Sequence, residues 1–236
     1  MKFSELTKFF EKLEETSSRL TLIDILSDLF KHTDKDEIDK IIYLTQGRIA
    51  PFFAPVEIGM ADKTVADALG RAFGESKEDV LKMYSKAGDI GLVAQELSSK
   101  FKVLHSASSG QASLKTVEDV FKILTEIAGT SGAGTVEKRI VLLSDLLKKV
   151  DPISAKHLVR VPLGKTRLGI GDPTILDALS LAILGDRSKR KLLEKAYNET
   201  SDLGLIGKTL LNGGLSKVQK LTVTVGRPIR SELCER

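Results

Sequence analysis

Two cations and three glycines between Leu163 and Leu179 (LGKTRLGIGDPTILDAL) define the chemistry open to this chain. Lys165 and Arg167 are interleaved with Gly164, Gly169 and Gly171. The loop runs into Asp172-Pro173, read as an N-cap with proline at the first helical position, and then into an apolar helix. Such a loop aims backbone N–H groups and cationic side chains at one place, and the ligand that matches is a phosphate. A second glycine loop, Gly129 to Lys138 (GTSGAGTVEK), follows a helical stretch and satisfies neither GxGxxG nor GxxxxGK with Ser or Thr after it, which argues against a mononucleotide site. With a neutral Ser or Thr expected as the N-cap of the next helix, Gly132, Gly134 and Lys138 form an anion seat whose helix dipole no carboxylate opposes. The bland alternative for this loop is a flexible linker. The run Arg187, Lys189, Arg190, Lys191 reads as a solvated helix start and is left outside the site.

Other chemistries find little footing. The three histidines, His32, His105 and His157, lack metal-ligand spacing, and the single cysteine, Cys234, gives neither a disulfide framework nor a thiolate site, so no catalytic or metal residues are assigned. Aromatic residues make up 5% with no Trp, too few for a stacking platform on single strands. A net charge of +4 and a pI near 9.0 suit a polyanion, mildly. No apolar run approaches a bilayer span, and the N-terminus opens an amphipathic helix, which leads to the expectation of a cytoplasmic protein with no membrane partner.

The elements that would position the loops are helices. Apolar residues recur at helical spacing from Leu6 to Leu13, Leu20 to Phe30 and Ile38 to Leu44. Further helices are predicted for Asp62–Phe73, Ser76–Tyr84, Asp89–Leu97, Val117–Ile127, Thr135–Val150, Ser154–Val161, Asp172–Leu184, Ser188–Tyr197 and Asp202–Leu211. Between them, Pro51-Phe52-Phe53-Ala54-Pro55 resists helix, and residues 98–113 read as a polar, Ser-rich connection. Leu221 to Val225 alternates in the manner of a strand. The expectation is an all-α domain over residues 1–220 with about twelve helices, then a short strand and linker over 221–236.

The helical pattern is duplicated. Ile58–Leu69 (IGMADKTVADAL) aligns with Leu168–Leu179 (LGIGDPTILDAL) at an offset of 110, with six identities in twelve positions, where ordinary residue usage gives roughly one. Upstream, Leu26-Ser27-Asp28-Leu29 repeats as Leu143-Ser144-Asp145-Leu146, and Gly47-Arg48 falls on Gly164-Lys165, both at 117. Downstream, Tyr84 with Asp89-Ile90-Gly91-Leu92 repeats as Tyr197 with Asp202-Leu203-Gly204-Leu205 at 113. Two pseudo-symmetric helical halves, about 20–98 and 135–211, therefore each present a glycine-cation loop before a helix. Displayed about a pseudo-twofold axis, two such loops could grip phosphates on both strands of a duplex. The repeated Asp62, Asp67, Asp172 and Asp177 read as caps and core. Gly47, Arg48, Gly59, Gly132, Gly134, Lys138, Lys165, Arg167, Gly169 and Gly171 are the candidate DNA-binding residues. The competing reading is a helical-repeat adaptor that binds proteins.

SGAGTVEK, GKTRLGIGDPTILDAL, DLGL and the terminal VGRPIR together resemble the N-terminal DNA-binding domain of ATP-dependent DNA ligases of the archaeal and eukaryotic replicative type, over nearly the whole chain. The resemblance implies an all-helical domain that binds nicked duplex DNA across the minor groove without reading sequence, in an enzyme that seals nicks in replication, repair and recombination. It assigns backbone contacts to Gly47, Arg48, Gly132, Gly134, Lys138, Lys165, Arg167, Gly169 and Gly171. It also implies a following adenylation domain, with its nucleophilic lysine in a KxDG motif and with ATP and magnesium. No KxDG occurs in this sequence, so the chain alone is expected to be inactive and to hold no cofactor. Where such ligases continue VGxPIxPMLA, this chain reads VGRPIRSELCER. The partners implied are nicked DNA, the ligase's catalytic domains and a sliding clamp, although Gln111 has the glutamine of a clamp motif without its aromatic pair. The setting implied is the prokaryotic nucleoid, or the nucleus of a eukaryote.

Overall fold

In the computed structural model, which describes residues 1–105 and 115–229, twelve α-helices carry the chain: α1 (Phe3–Glu14), α2 (Arg19–Lys31), α3 (Ile38–Thr45), α4 (Asp62–Phe73), α5 (Lys77–Ala87), α6 (Ile90–His105), α7 (Val117–Gly129), α8 (Thr135–Leu147), α9 (Pro152–Arg160), α10 (Asp172–Leu184), α11 (Arg190–Thr200) and α12 (Leu203–Val218), with a 3-10 turn at Arg187–Lys189 before α11. The fold is all-α, as the periodicity requires. Among the described residues, six of the α-helices start on a side chain that accepts from their first-turn amides: Ser18, Ser76, Asp89, Thr116, Asp151 and Asp202.

The helices gather into two compact units, neither of them a continuous stretch of chain. The first holds Met1–Lys8, Gly47–Ile49 and Val56–Thr166; the second holds Phe9–Gln46, Ala50–Pro55 and the chain from Arg167 on. In the first unit α4, α5 and α6 pack together, α8 lies on α4, and α9 lies on α6. In the second α10, α11 and α12 pack together, α2 lies on α10, and α3 lies on α12. Each unit thus combines the three-helix segment of one repeat copy with the two-helix segment of the other. The duplicated LSDL motif shows why. Leu26 and Leu29 are fully buried in the second unit, as are Leu143 and Leu146 in the first, while Asp28 and Asp145 face solvent. Each such leucine contributes about 1.5–3 kcal/mol of burial.

The repeated Asp-x-Gly motifs close each unit. In the first, the Asp89 carboxylate accepts from the Gly91 amide (2.8 Å) and pairs with the Arg160 guanidinium of α9, whose Nε lies 3.3 Å away, with both side chains buried. In the second, Asp202 accepts from the Leu205 amide (2.9 Å) and from the Tyr43 hydroxyl of α3 (2.7 Å). Arg160 and Tyr43 stand at the repeat offset of 117 from one another, so one design carries two different donors. Burial, and then the neighbouring Asp202 carboxylate, push the Tyr43 phenol well above its ordinary pKa.

Three expectations need correction. Among the described residues there is no strand: Leu221–Thr224 is irregular and followed by a turn, Val225 is fully exposed, and the isolated bridge Lys2–Thr116 is the β pairing present. A segment with no neighbouring strand to receive its N–H and C=O groups has no ladder to join. α6 runs to His105, well into the span read as a connection, and the remainder of 98–113, Gln111 included, lies outside the described residues. Finally, Asp62 and Asp172 are the first helical residues rather than N-caps. Those places fall to Ala61 and Gly171.

Candidate nucleic-acid interface

The candidate residues are distributed over both units, with Gly47, Arg48, Gly59, Gly132, Gly134, Lys138 and Lys165 in the first and Arg167, Gly169 and Gly171 in the second. Within the first unit three of the loops are tied together. Gly47 has a left-handed backbone (φ +72°), and a Cβ there would sit 2.9 Å from the Thr166 methyl, so only glycine lets this turn meet the Gly164–Thr166 loop. Arg48, next to it, is exposed. Lys165 Nζ lies 3.4 and 3.5 Å from the two Asp62 oxygens, with both side chains about half exposed. Its partner is therefore the repeated aspartate of the other copy. An ion pair that open contributes about 0–1 kcal/mol and yields readily to a phosphate.

Arg139 fixes the other loop and was passed over in the sequence. Its Nε donates to the Ile127 carbonyl (3.1 Å) and Thr130 Oγ1 (2.9 Å), its Nη2 to the Thr130 carbonyl (3.2 Å), and its Nη1 to the Gly59 carbonyl (2.8 Å). One guanidinium, with its rigid fork of donors, thus anchors the start of the Gly129–Gly134 loop to Gly59. The N-cap of α8 is Gly134 (φ +75°), not the Ser or Thr expected. Thr135 instead turns its hydroxyl back to the Gly132 carbonyl (2.6 Å). Gly132, Gly134 and Lys138 are exposed.

In the second unit Asp172 accepts from the Tyr197 hydroxyl (2.6 Å) and Gln46 Nε2 (2.9 Å), as Asp62 in the first accepts from Tyr84 (3.2 Å). The repeated tyrosines donate to the repeated carboxylates. The N-caps Ala61, Gly134 and Gly171 offer no side-chain acceptor; the Thr64 and Thr174 amides donate instead to the Ala61 and Gly171 carbonyls (2.9 and 3.0 Å) and Pro173 has no N–H, so the amides left open by these caps are the ones at the very start of α4, α8 and α10, the helices behind the glycine loops. Gly169 and Gly171 are exposed beside the start of α10.

Arg167 has φ +58°, a left-handed backbone on a non-glycine residue. That conformation costs about 1–2 kcal/mol, and such strain gathers where a side chain must be presented. Arg167→Gly is therefore expected to match or exceed the parent's stability in urea unfolding, while Arg167→Ala, which keeps the strain, gains nothing.

The family described as DNA ligase N terminus matches residues 2–180. The chain belongs to the DNA ligase N-terminal family. Curated relatives align along its whole length: a probable DNA ligase of Dictyoglomus turgidum is 43% identical over 236 residues, covering 100% of this chain and 39% of the relative. A DNA ligase of Acidianus ambivalens is 41% identical over 241 residues (100% and 40%), and DNA ligase 2 of Thermofilum pendens is 41% identical over 243 (99% and 39%). The chain spans about two fifths of the length of these ligases. Among the described residues, no helix is long and apolar enough to cross a membrane.

Proposed function

We propose that this chain is the part of an ATP-dependent DNA ligase that holds nicked duplex DNA by its sugar-phosphate backbone, without reading base sequence. The observation that carries this reading is the pairing of exposed cations with helix starts left open by their caps. Lys138 belongs to α8, Lys165 faces the start of α4, and Arg167 precedes α10, while Tyr84 and Tyr197 donate to the Asp62 and Asp172 carboxylates. Backbone N–H groups and flexible cations suit phosphate oxygens, which carry no base identity. Sealing chemistry would reside in the remainder of the enzyme, where a KxDG lysine, ATP and magnesium would act. This chain's residues would position the duplex for it. Other DNA-processing partners, including a sliding clamp, find no support in the described residues.

The test is equilibrium binding to a nicked duplex of arbitrary sequence across a salt series. Each phosphate contact releases counterion, so log affinity should fall steeply with log salt. Lys165→Ala and Arg167→Ala should each flatten that slope by about one unit, with helicity by circular dichroism unchanged. A flat salt response or a marked sequence preference would overturn the reading.

A further inference from the structure

The two repeat copies serve as controls for one another, and at one place they part company. At the offset of 113, the start of α5 aligns with the start of α11: Gly74 with Arg187, Ser76 with Lys189, Lys77 with Arg190, Glu78 with Lys191 and Val80 with Leu193. The structure upholds this register. Val80 and Leu193 are both fully buried, and Lys77 and Arg190 perform the same task, Lys77 Nζ lying 3.6 Å from Asp67 and Arg190 Nε 3.9 Å from the repeat-equivalent Asp177. Arg190 is thus explained by the fold.

Its neighbours are not. α5 opens with a serine cap and with Glu78 and Asp79 in its first turn, acids that suit the positive end of a helix. α11 has no acid in its first turn and puts Lys191 there, with Lys189 at its N-cap and Arg187 in the preceding 3-10 turn, all three exposed and none in an ion pair with a carboxylate among the described residues. Cations at that end of a helix oppose its dipole and one another. Arg19 Nη2 also reaches Asp177 (3.0 Å) and Arg190 Nη2 reaches Glu194 (2.7 Å), so Asp177 and Glu194 are both engaged by guanidiniums. Asp186 caps Ser188 and also feels the charge of Lys189, and Ser180 Oγ donates to its carbonyl (2.6 Å), which holds the turn in place.

We propose that Arg187, Lys189 and Lys191 form a second cationic surface, absent from the other copy, through which the second unit grips the phosphate backbone of duplex DNA in addition to the glycine loops. The proposal rests on the DNA-holding function above and extends it to a surface that the glycine motifs do not mark. Charge complementarity decides the occupant. Three exposed cations within two turns, with no exposed large apolar side chain between Arg187 and Lys195 to read a peptide or a base, match a regularly spaced polyanion.

The experiment grafts the other copy's character onto this one, Arg187→Ser, Lys189→Ser and Lys191→Glu together. A control, Lys35→Glu with Lys220→Glu, changes the formal charge equally at exposed sites elsewhere in the second unit. Binding to nicked duplex is measured across a salt series, alongside thermal unfolding. The graft should flatten the salt slope by about two to three units and leave the melting temperature unchanged or higher, since Lys191→Glu puts an acid where the other copy has Glu78; the control should keep the parent's slope. If the parent binds with a steep slope and the graft equals it, the surface is wrong and the glycine-loop reading stands. If the control loses as much as the graft, overall charge is responsible and the surface is again wrong. A parent that shows no salt dependence overturns the underlying DNA reading itself. Should the graft fold poorly, Lys191→Ala alone must flatten the slope by about one unit, and an unchanged slope refutes the proposal.

Discussion

Asp89→Ala is expected to destabilise the chain by about 3–5 kcal/mol in urea unfolding, because it strands the buried Arg160 guanidinium without its carboxylate. Arg160 is 1% exposed, beyond easy reach of water, and the same carboxylate also receives the Gly91 amide. Removing both partners together, Asp89→Ala with Arg160→Ala, should cost less than the sum of the single changes, since each single change already breaks the same buried pair. Strictly additive costs would mean that the pair is not coupled as its geometry indicates.

The second large effect concerns Gly204. A Cβ there would stand 2.4 Å from Tyr43 Cζ and 2.6 Å from its hydroxyl, and the phenol cannot retreat without leaving Asp202. Gly204→Ala should cost about 1–3 kcal/mol by overpacking. In a Tyr43→Ala background the same change should cost less, because the ring that it strikes is gone. Unfolding midpoints of the four proteins in this cycle supply the coupling energy, and a cost for Gly204→Ala that is unaffected by Tyr43 would refute the account.

These two sites also show what the sequence disclosed. The repeated Asp-x-Gly was visible at once, but its meaning lies in the residues it meets. Asp89 meets an arginine and Asp202 a tyrosine, and the offset that aligns Arg160 with Tyr43 matches two unlike side chains, which similarity alone passes over. The helices themselves were legible because apolar spacing of the kind in α4 and α10 needs no tertiary information, and their limits, Asp62–Phe73 and Asp172–Leu184, were read directly. Caps were harder. An aspartate before an apolar run looks like an N-cap, yet Tyr84 and Tyr197, more than twenty residues downstream, claim those carboxylates. Arg139 was hidden for a similar reason, as most of its acceptors are backbone carbonyls, which leave no mark in residue types. The strand at Leu221–Val225 failed because alternation states a preference and a ladder requires a neighbour.

The crossed assembly of the two units bears on the order in which the chain can become a protein. During synthesis α2 and α3 emerge directly after α1, with Leu22, Ile23, Leu26, Leu29 and Phe30 awaiting a surface that is made only when α10 and α12 appear. Meanwhile α4, α5 and α6 wait for α8 and α9, so the first unit can be completed before the second. Contacts of such long sequence separation slow folding and leave apolar faces exposed on the nascent chain. α2 and α3 must therefore be kept from foreign partners for longest, and any pause in translation before α10 would prolong that exposure.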